Sequence, residues 1–217
     1  MSSCCDTSEG CTGVNRFFSR RSKHYARRFA KKGLERTQQY LIEGVKRKPI
    51  AAKEVLDIGC GVGALHLTLL NQGAARSIGV EMSEGMIAEA KRLASESGVG
   101  ERTQYIVGDF VELADSLTES DITLLDKVVC CCERLDDLIE KSTARTKSIY
   151  ALSHPKDNAL MKTVFKTQML LARFLGWSFC PFWHDWVEMK NMIVSRGFRL
   201  LYENSTIAWQ VLVFQRI

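Results

Sequence analysis

The chain has 217 residues, 46% of them hydrophobic and 25% charged, which is the composition of a folded globular protein and far from that of disordered or collagen-like chains. Its formal charge is +5, and it carries eight cysteines against three prolines. No stretch approaches the roughly 18 uninterrupted apolar residues of a membrane span, and the polar start MSSCCDTSEGCTG has no apolar region of a secretory signal, so a cytoplasmic location is expected.

Residues 1–15 read as a flexible leader holding Cys4, Cys5 and Cys11, with Asp6 and Glu9 as its charges. Residues 16–48 are different in kind. Twelve lysines and arginines there meet only Glu35 and Glu43, so the excess charge of the protein sits in one arm and the rest of the chain is mildly acidic. Phe17, Phe18, Tyr25, Phe29, Leu34, Tyr40, Leu41 and Val45 recur at helical spacing within it, which predicts one or two amphipathic helices with the basic residues outward.

From Glu54 onward, short β-branched runs alternate with helical patterns, the signature of repeated βα units and a parallel sheet. Strands are predicted at Glu54–Ile58, Ser77–Glu81, Gln104–Gly108, Ile122–Asp126 and Lys147–Ser153. The clearest helix is Ser83–Ser97, with Ser83 as N-cap and Met86, Ile87, Ala90, Leu93 and Ala94 on one face. Residues 154–197 exceed one crossover and predict two helices, Asn158–Leu175 and His184–Ser195, broken by Gly176 and Pro181. Phe198–Tyr202 and Ile207–Phe214 follow, joined by Glu203 to Thr206, a link too short for a parallel crossover, so these two strands pair antiparallel. The expected fold is α/β: a Rossmann-like, doubly wound, seven-stranded sheet with an antiparallel last strand, an N-terminal helical lid and a helical cap insertion.

The strongest chemical signal is the run Val55-Leu56-Asp57-Ile58-Gly59-Cys60-Gly61-Val62-Gly63. An apolar strand enters three alternating glycines and then a helical segment, which lets the backbone turn sharply and approach a ligand at the carboxyl edge of the sheet. Gly59, Gly61 and Ala64 also satisfy the dinucleotide fingerprint, so a dehydrogenase competes. Asp57 separates the two: a carboxylate beside the loop repels a pyrophosphate and suits a cationic ligand.

In this run, and in Ile78-Gly79-Val80-Glu81-Met82-Ser83, Tyr105-Ile106-Val107-Gly108-Asp109-Phe110 and Ile122-Thr123-Leu124-Leu125-Asp126-Lys127, the chain resembles the class I S-adenosylmethionine-dependent methyltransferases. The resemblance implies S-adenosylmethionine as cofactor, held by Asp57, Gly59, Cys60, Gly61 and Gly63. Glu81 would accept from the ribose hydroxyls beside Met82, Asp109 from the adenine amino group with Phe110 on the ring, and Asp126 would lie near the methyl group. Tyr25 resembles a lid tyrosine at the methionine end. Residues 49–217 would then be the methyltransferase domain, with a cap at 154–197, behind the lid at 16–48.

The acceptor is less specified, because this fold serves many acceptors. After Asp126 stands Lys127-Val128-Val129, without the proline turn of amino-group methylases or the Pro-Cys of cytosine C5 enzymes. Cys130, Cys131 and Cys132 follow, as nucleophiles, as ligands for a metal or metalloid, or as packing groups. Paired C-x-x-C spacing is absent, and no metal is expected. The stretches Leu125–Cys131 and Ala151–Asp157 and the terminal Trp209-Gln210-Val211 resemble a group similar to magnesium-protoporphyrin O-methyltransferases. That resemblance implies a small-molecule acceptor, apolar or carboxylate-bearing, with Phe174, Trp177, Phe179, Phe182, Trp183 and Trp186 as pocket wall or cap core. His154 and His184 are the candidate general bases. The basic arm suits RNA, an anionic membrane surface or an acidic protein, so an RNA- or protein-directed methyltransferase is an alternative. The arm lacks the glycine or aromatic interleaving expected for nucleic acid, and a solvated helix face is the plain reading. A catalytically silent, cofactor-binding partner subunit is a second reading, and the oligomeric state stays open.

Overall fold

The computed structural model describes residues 13, 15–174 and 181–217. Cys4, Cys5, Cys11, Trp177, Phe179, Cys180 and the side chain of Phe174 lie outside the described residues. Seven strands form one sheet: β1 (Glu54–Ile58), β2 (Arg76–Glu81), β3 (Thr103–Val107), β4 (Ser120–Leu125), β5 (Thr146–Pro155), β6 (Phe198–Ser205) and β7 (Trp209–Arg216), in the order β3-β2-β1-β4-β5-β7-β6. The first five are parallel, and β7 runs antiparallel between β5 and β6. The expected doubly wound sheet is thus the observed one, with the reversal at β1/β4 placing a crevice at the carboxyl ends of these strands.

Central strands covered on both sides must be apolar on both sides. Val55, Leu56, Ile122, Leu124, Ile149, Tyr150, Ala151 and Leu152 are all buried, and alternate residues serve opposite layers. Leu56, Ile58, Leu125, Tyr150 and Leu152 join the core under α6 (Leu135–Ala144) and α8 (Trp186–Ser195). Val55, Ile122, Leu124, Ile149 and Ala151 join the core under α2 (Arg36–Val45), α3 (Ala64–Asn71) and α4 (Glu84–Glu96). In α4 the side chain of Ser83 accepts from Met86 N at 3.2 Å, and the five apolar residues read from the sequence are its buried face. The remaining helices are α1 (Ser22–Lys32), the single turn α5 (Phe110–Leu113) and α7 (Ala159–Phe174). None of the helices among the described residues is long and apolar enough to cross a membrane.

Most element ends shift by one to three residues from the sequence reading, and two of these shifts have a plain physical cause. The last hairpin closes later: Glu203 pairs with Leu212 and Asn204 with Val211, and the turn lies at residues 206–208. Glu203, Asn204 and Ser205 look like linker because β6 is an edge strand that needs no second apolar face. Ile207 stands in the turn, 87% exposed. Helix α8 begins after Asp185, whose carboxylate accepts from Val187 N and Glu188 N at 2.9 and 3.0 Å, a stronger stop than His184 could provide.

The basic arm divides in two. Helix α2 lies flat on the sheet, with Leu41 and Val45 fully buried. A Cβ at Gly44 would stand 2.5 Å from Val213 Cγ2 and 2.6 Å from Tyr202 Cδ1, so only glycine permits this approach. Helix α1 instead packs on α4 at the carboxyl edge. Ser19, in the helical turn ahead of it, lies 2.9 Å from Ser83 Oγ and accepts from Gly85 N at 3.2 Å. Gly44→Leu is expected to destabilise the fold by about 1–3 kcal/mol through overpacking, read as a lowered urea midpoint.

Candidate functional site

The loop after β1 carries three left-handed glycines, Gly59, Gly61 and Gly63, at φ of 63°, 54° and 84°. Their surroundings differ. A Cβ at Gly59 would meet Val128 at 2.6 Å, and one at Gly63 would meet the His66 ring at 2.9 Å, whereas one at Gly61 would meet nothing within 4 Å. Gly61 therefore faces open space at the carboxyl edge, where a ligand can touch its backbone. Glu81, ending β2, holds this loop: its Oε2 accepts from Gly61 N at 3.0 Å and its Oε1 from Ser83 N at 2.9 Å. Burial pushes the Glu81 carboxyl up, and the amides of Ser83 and Gly61 oppose that shift. Each oxygen retains a lone pair for another donor. Met82 beside it is half-buried.

Asp57 does not present its charge to this opening. It is buried, with Oδ2 2.8 Å from His66 Nδ1, and His66 Nε2 lies 3.0 Å from the Tyr105 hydroxyl. The carboxylate's partner is thus a histidine ring of the chain itself, beneath the loop. Cys60 likewise points inward, its sulfur 2.9 Å from where a Cβ on Gly79 would stand, and burial first, then Asp57 and Glu81, raise its thiol well above the usual value. Phe110 is buried in the core rather than open to a ring. Asp109 caps α5 through Val111 N at 2.9 Å and pairs with Arg134 at 3.1 Å, leaving it half-buried at the edge.

At the end of β4, Asp126 accepts from Ser153 Oγ at 2.7 Å and is reached by Gln38 of α2. Burial raises its carboxyl, against the opposing pull of Lys127. Lys127 has a left-handed backbone, φ 62°, and donates its amide to Ser153 Oγ at 2.9 Å. Its Nζ lies 2.5 Å from Glu35 and 5.4 Å from the Trp209 ring centre. Burial works against the Lys127 ammonium, but Asp126 and Glu35 outweigh it and its pKa is raised. Glu35 also pairs with Arg28 and caps α2, so one carboxylate ties both arm helices to the catalytic edge. Tyr25, 37% exposed on α1, is close enough to act on Lys127 electrostatically.

The three consecutive cysteines are packing groups in this arrangement. Cys130 and Cys131 both turn to Lys127 O, at 3.6 and 3.3 Å, and Cys132 to Arg134 O at 3.5 Å. The neighbouring Cys130 and burial raise the Cys131 thiol, and burial raises Cys132 to about 11, so both stay protonated near neutrality. Among the described residues no group of three His, Cys, Asp or Glu could hold a metal ion. His154 is buried and stacked on Trp186 at 5.0 Å; its Nδ1 bonds to Pro155 O at 2.8 Å. Burial lowers it to about 4. His184 directs Nε2 to Cys132 O at 2.9 Å and is lowered by burial. Phe182, Trp183 and Trp186 cluster with these histidines as the cap's interior.

Residues 55–149 match the family model described as a methyltransferase domain. That stretch, somewhat less than half of the chain, is similar to this family. The chain is 39% identical over 82 residues to the ubiquinone biosynthesis O-methyltransferase of Azorhizobium caulinodans, covering 38% of this chain and 31% of that protein. It is 30% identical over 119 residues to the enzyme of that name from Pseudomonas entomophila, covering 55% and 47%. The chain thus spans less than half the length of these curated relatives. Among solved structures, magnesium protoporphyrin IX methyltransferase of Synechocystis PCC 6803, crystallised with SAM, superposes with a TM-score of 0.71 over 96% of this chain and 97% of that one, at 18% identity. That likeness of fold runs over nearly the whole chain.

The structure places Gly59, Gly61, Gly63, Glu81, Asp109, Asp126 and, from α1, Tyr25 along the carboxyl edge and sets Asp57, Cys60, Phe110 and His154 behind it. Sequence reasoning passed over His66 and Glu35. His66 reads as one more residue of an apolar helix, although its spacing of nine from Asp57 could have suggested a contact across the loop. Nothing local marks Glu35 except its isolation among cations. Because His154 is kept neutral by burial, its proton affinity rises on unfolding. It therefore stabilises the fold fully above about pH 6.5, and that contribution, up to about 3 kcal/mol, is lost as pH falls toward 4. His154→Gln should flatten this part of the stability profile, measured by urea unfolding at a series of pH values.

Proposed function

We propose that the chain binds S-adenosylmethionine and transfers its methyl group to an oxygen of a small-molecule acceptor. The observation that carries this reading is the glycine loop whose middle residue, Gly61, opens onto free space while Glu81 grips its amide. A cradle that a Cβ would fill, with Glu81 and Asp109 at the neighbouring strand ends, fits a cationic, phosphate-free cofactor.

When bound, S-adenosylmethionine supplies a methyl group already activated by its sulfonium. The chain's part is to bind and align. Gly59, Gly61 and Gly63 bring the backbone close, Glu81 offers its remaining lone pairs to hydroxyls, and Asp109 stands at the next strand end for an amino group. Asp126 lies across the opening on β4, and Tyr25 with helix α1 covers the edge and excludes water. The acceptor enters between this lid and the aromatic cap. Its oxygen chemistry is supported by the names of the partial relatives, and Lys127 beside Trp209 suits an acceptor that is apolar and acidic.

Gly61→Arg should abolish the calorimetric binding of S-adenosylhomocysteine while costing only about 1–2 kcal/mol of stability from left-handed strain. Gly98→Arg is its control, since Gly98 has a similar φ of 69° and open space in a remote turn, and should keep full affinity. Equal binding by wild type and Gly61→Arg would overturn the site. Methyl-labelled S-adenosylmethionine incubated with the protein and a cell extract should label the small-molecule fraction. Label in RNA or protein that is lost on deletion of residues 16–32 would refute the acceptor class, and no label in any fraction would favour a silent partner subunit.

A further inference from the structure

We propose that the carboxyl edge of the sheet docks on an anionic lipid bilayer, through the cationic stripe of α1 and the exposed aliphatic stripe of α7. Both helices flank that edge. Helix α1 is tied there by Ser19 against Ser83 and by Glu35 to Lys127, and α7 begins a few residues after β5 ends.

Helix α1 contains no acidic residue, and Lys23, Arg27 and Lys31 repeat every fourth position on its exposed side. None of the three pairs with a carboxylate among the described residues, in contrast to Arg28, which is held by Glu35. Helix α7 also has no acid in its sequence. It buries Met161 and Phe165, yet Leu160, Val164 and Leu171, 63%, 45% and 48% exposed, form a second apolar stripe turned to solvent. Lys166 is exposed elsewhere on the same helix.

A water-facing helix gains nothing from such a stripe, and an RNA-binding one has no use for it. A bilayer interface uses both features, since aliphatic side chains enter the headgroup boundary while lysines and arginines meet anionic headgroups. The charge complementarity selects an anionic lipid over a neutral one. Docking in this orientation would turn the opening between lid and cap toward the lipid, where an apolar acceptor partitions.

The test is co-sedimentation of the full chain with phosphatidylcholine vesicles, with and without about one third phosphatidylglycerol. The expected result is binding to the anionic vesicles alone, weakened as salt is raised. Leu160→Gln/Val164→Gln/Leu171→Gln and Lys23→Glu/Arg27→Glu/Lys31→Glu should each lower the bound fraction at least about fivefold with unchanged melting temperature. The single change Lys166→Glu, on the open face of α7, should lower it less and serves where a triple variant fails to fold. Binding equal on neutral vesicles, no binding, or variants that bind as wild type would overturn the proposal. So would self-association through α7 that the glutamine variants abolish, or competition by an RNA oligonucleotide that depends on α1 alone. Vesicle binding is read without turnover or cofactor, so its failure leaves the proposed methyl transfer standing, and the reverse holds.

Discussion

The open edge of the sheet depends on the crowding of the backbone as it leaves β1. Three residues must turn left-handed between the side chains of Val128 and His66, and at Gly59 and Gly63 there is no room for a Cβ. Gly61 between them is glycine for another reason: it bears φ of 54° and faces outward, so it stays accessible. Glu81 then fixes the free loop from the neighbouring strand. The crevice of the doubly wound sheet exists because the chain is squeezed on two sides of one open residue.

Beneath that turn lies a buried chain of polar groups, Asp57, His66 and Tyr105, whose hydroxyl also reaches Ala90 O at 3.3 Å. A buried carboxylate needs a partner, and removing one member would strand the other in a low dielectric. The acid of the glycine motif therefore supports the loop from below while the acids at the ends of β2, β3 and β4 line its rim. Burial raises the thiols of Cys60 and Cys132, and the neighbouring Cys130 together with burial raises that of Cys131, which disfavours the thiolate at these three positions.

The arm joins the domain through two contacts of different character. Gly44 lets α2 lie against β6 and β7 as part of the core, which makes that helix a structural layer. Glu35, between Arg28 and Lys127, and Ser19, against Ser83 and Gly85, then hold α1 over the edge together with its packing on α4.

Much of this was determined by the sequence itself. Period-two and period-3.6 patterns placed all seven strands and the principal helices, because burial on one or both faces forces the pattern locally. The glycine run and the acids at successive strand ends marked the edge for the same reason, each being dictated by the turn or terminus it occupies. What only the tertiary structure decided were the directions of individual side chains: Asp57 toward His66, Phe110 and His154 into the core, and Glu35 onto Lys127 across 92 positions of chain. Those depend on which residues the sheet order brings together, and no local period encodes a partner so distant in sequence. Composition showed a basic protein with a charged arm; packing decided that half of that arm is core and that its cations stand at the edge where the glycine loop opens.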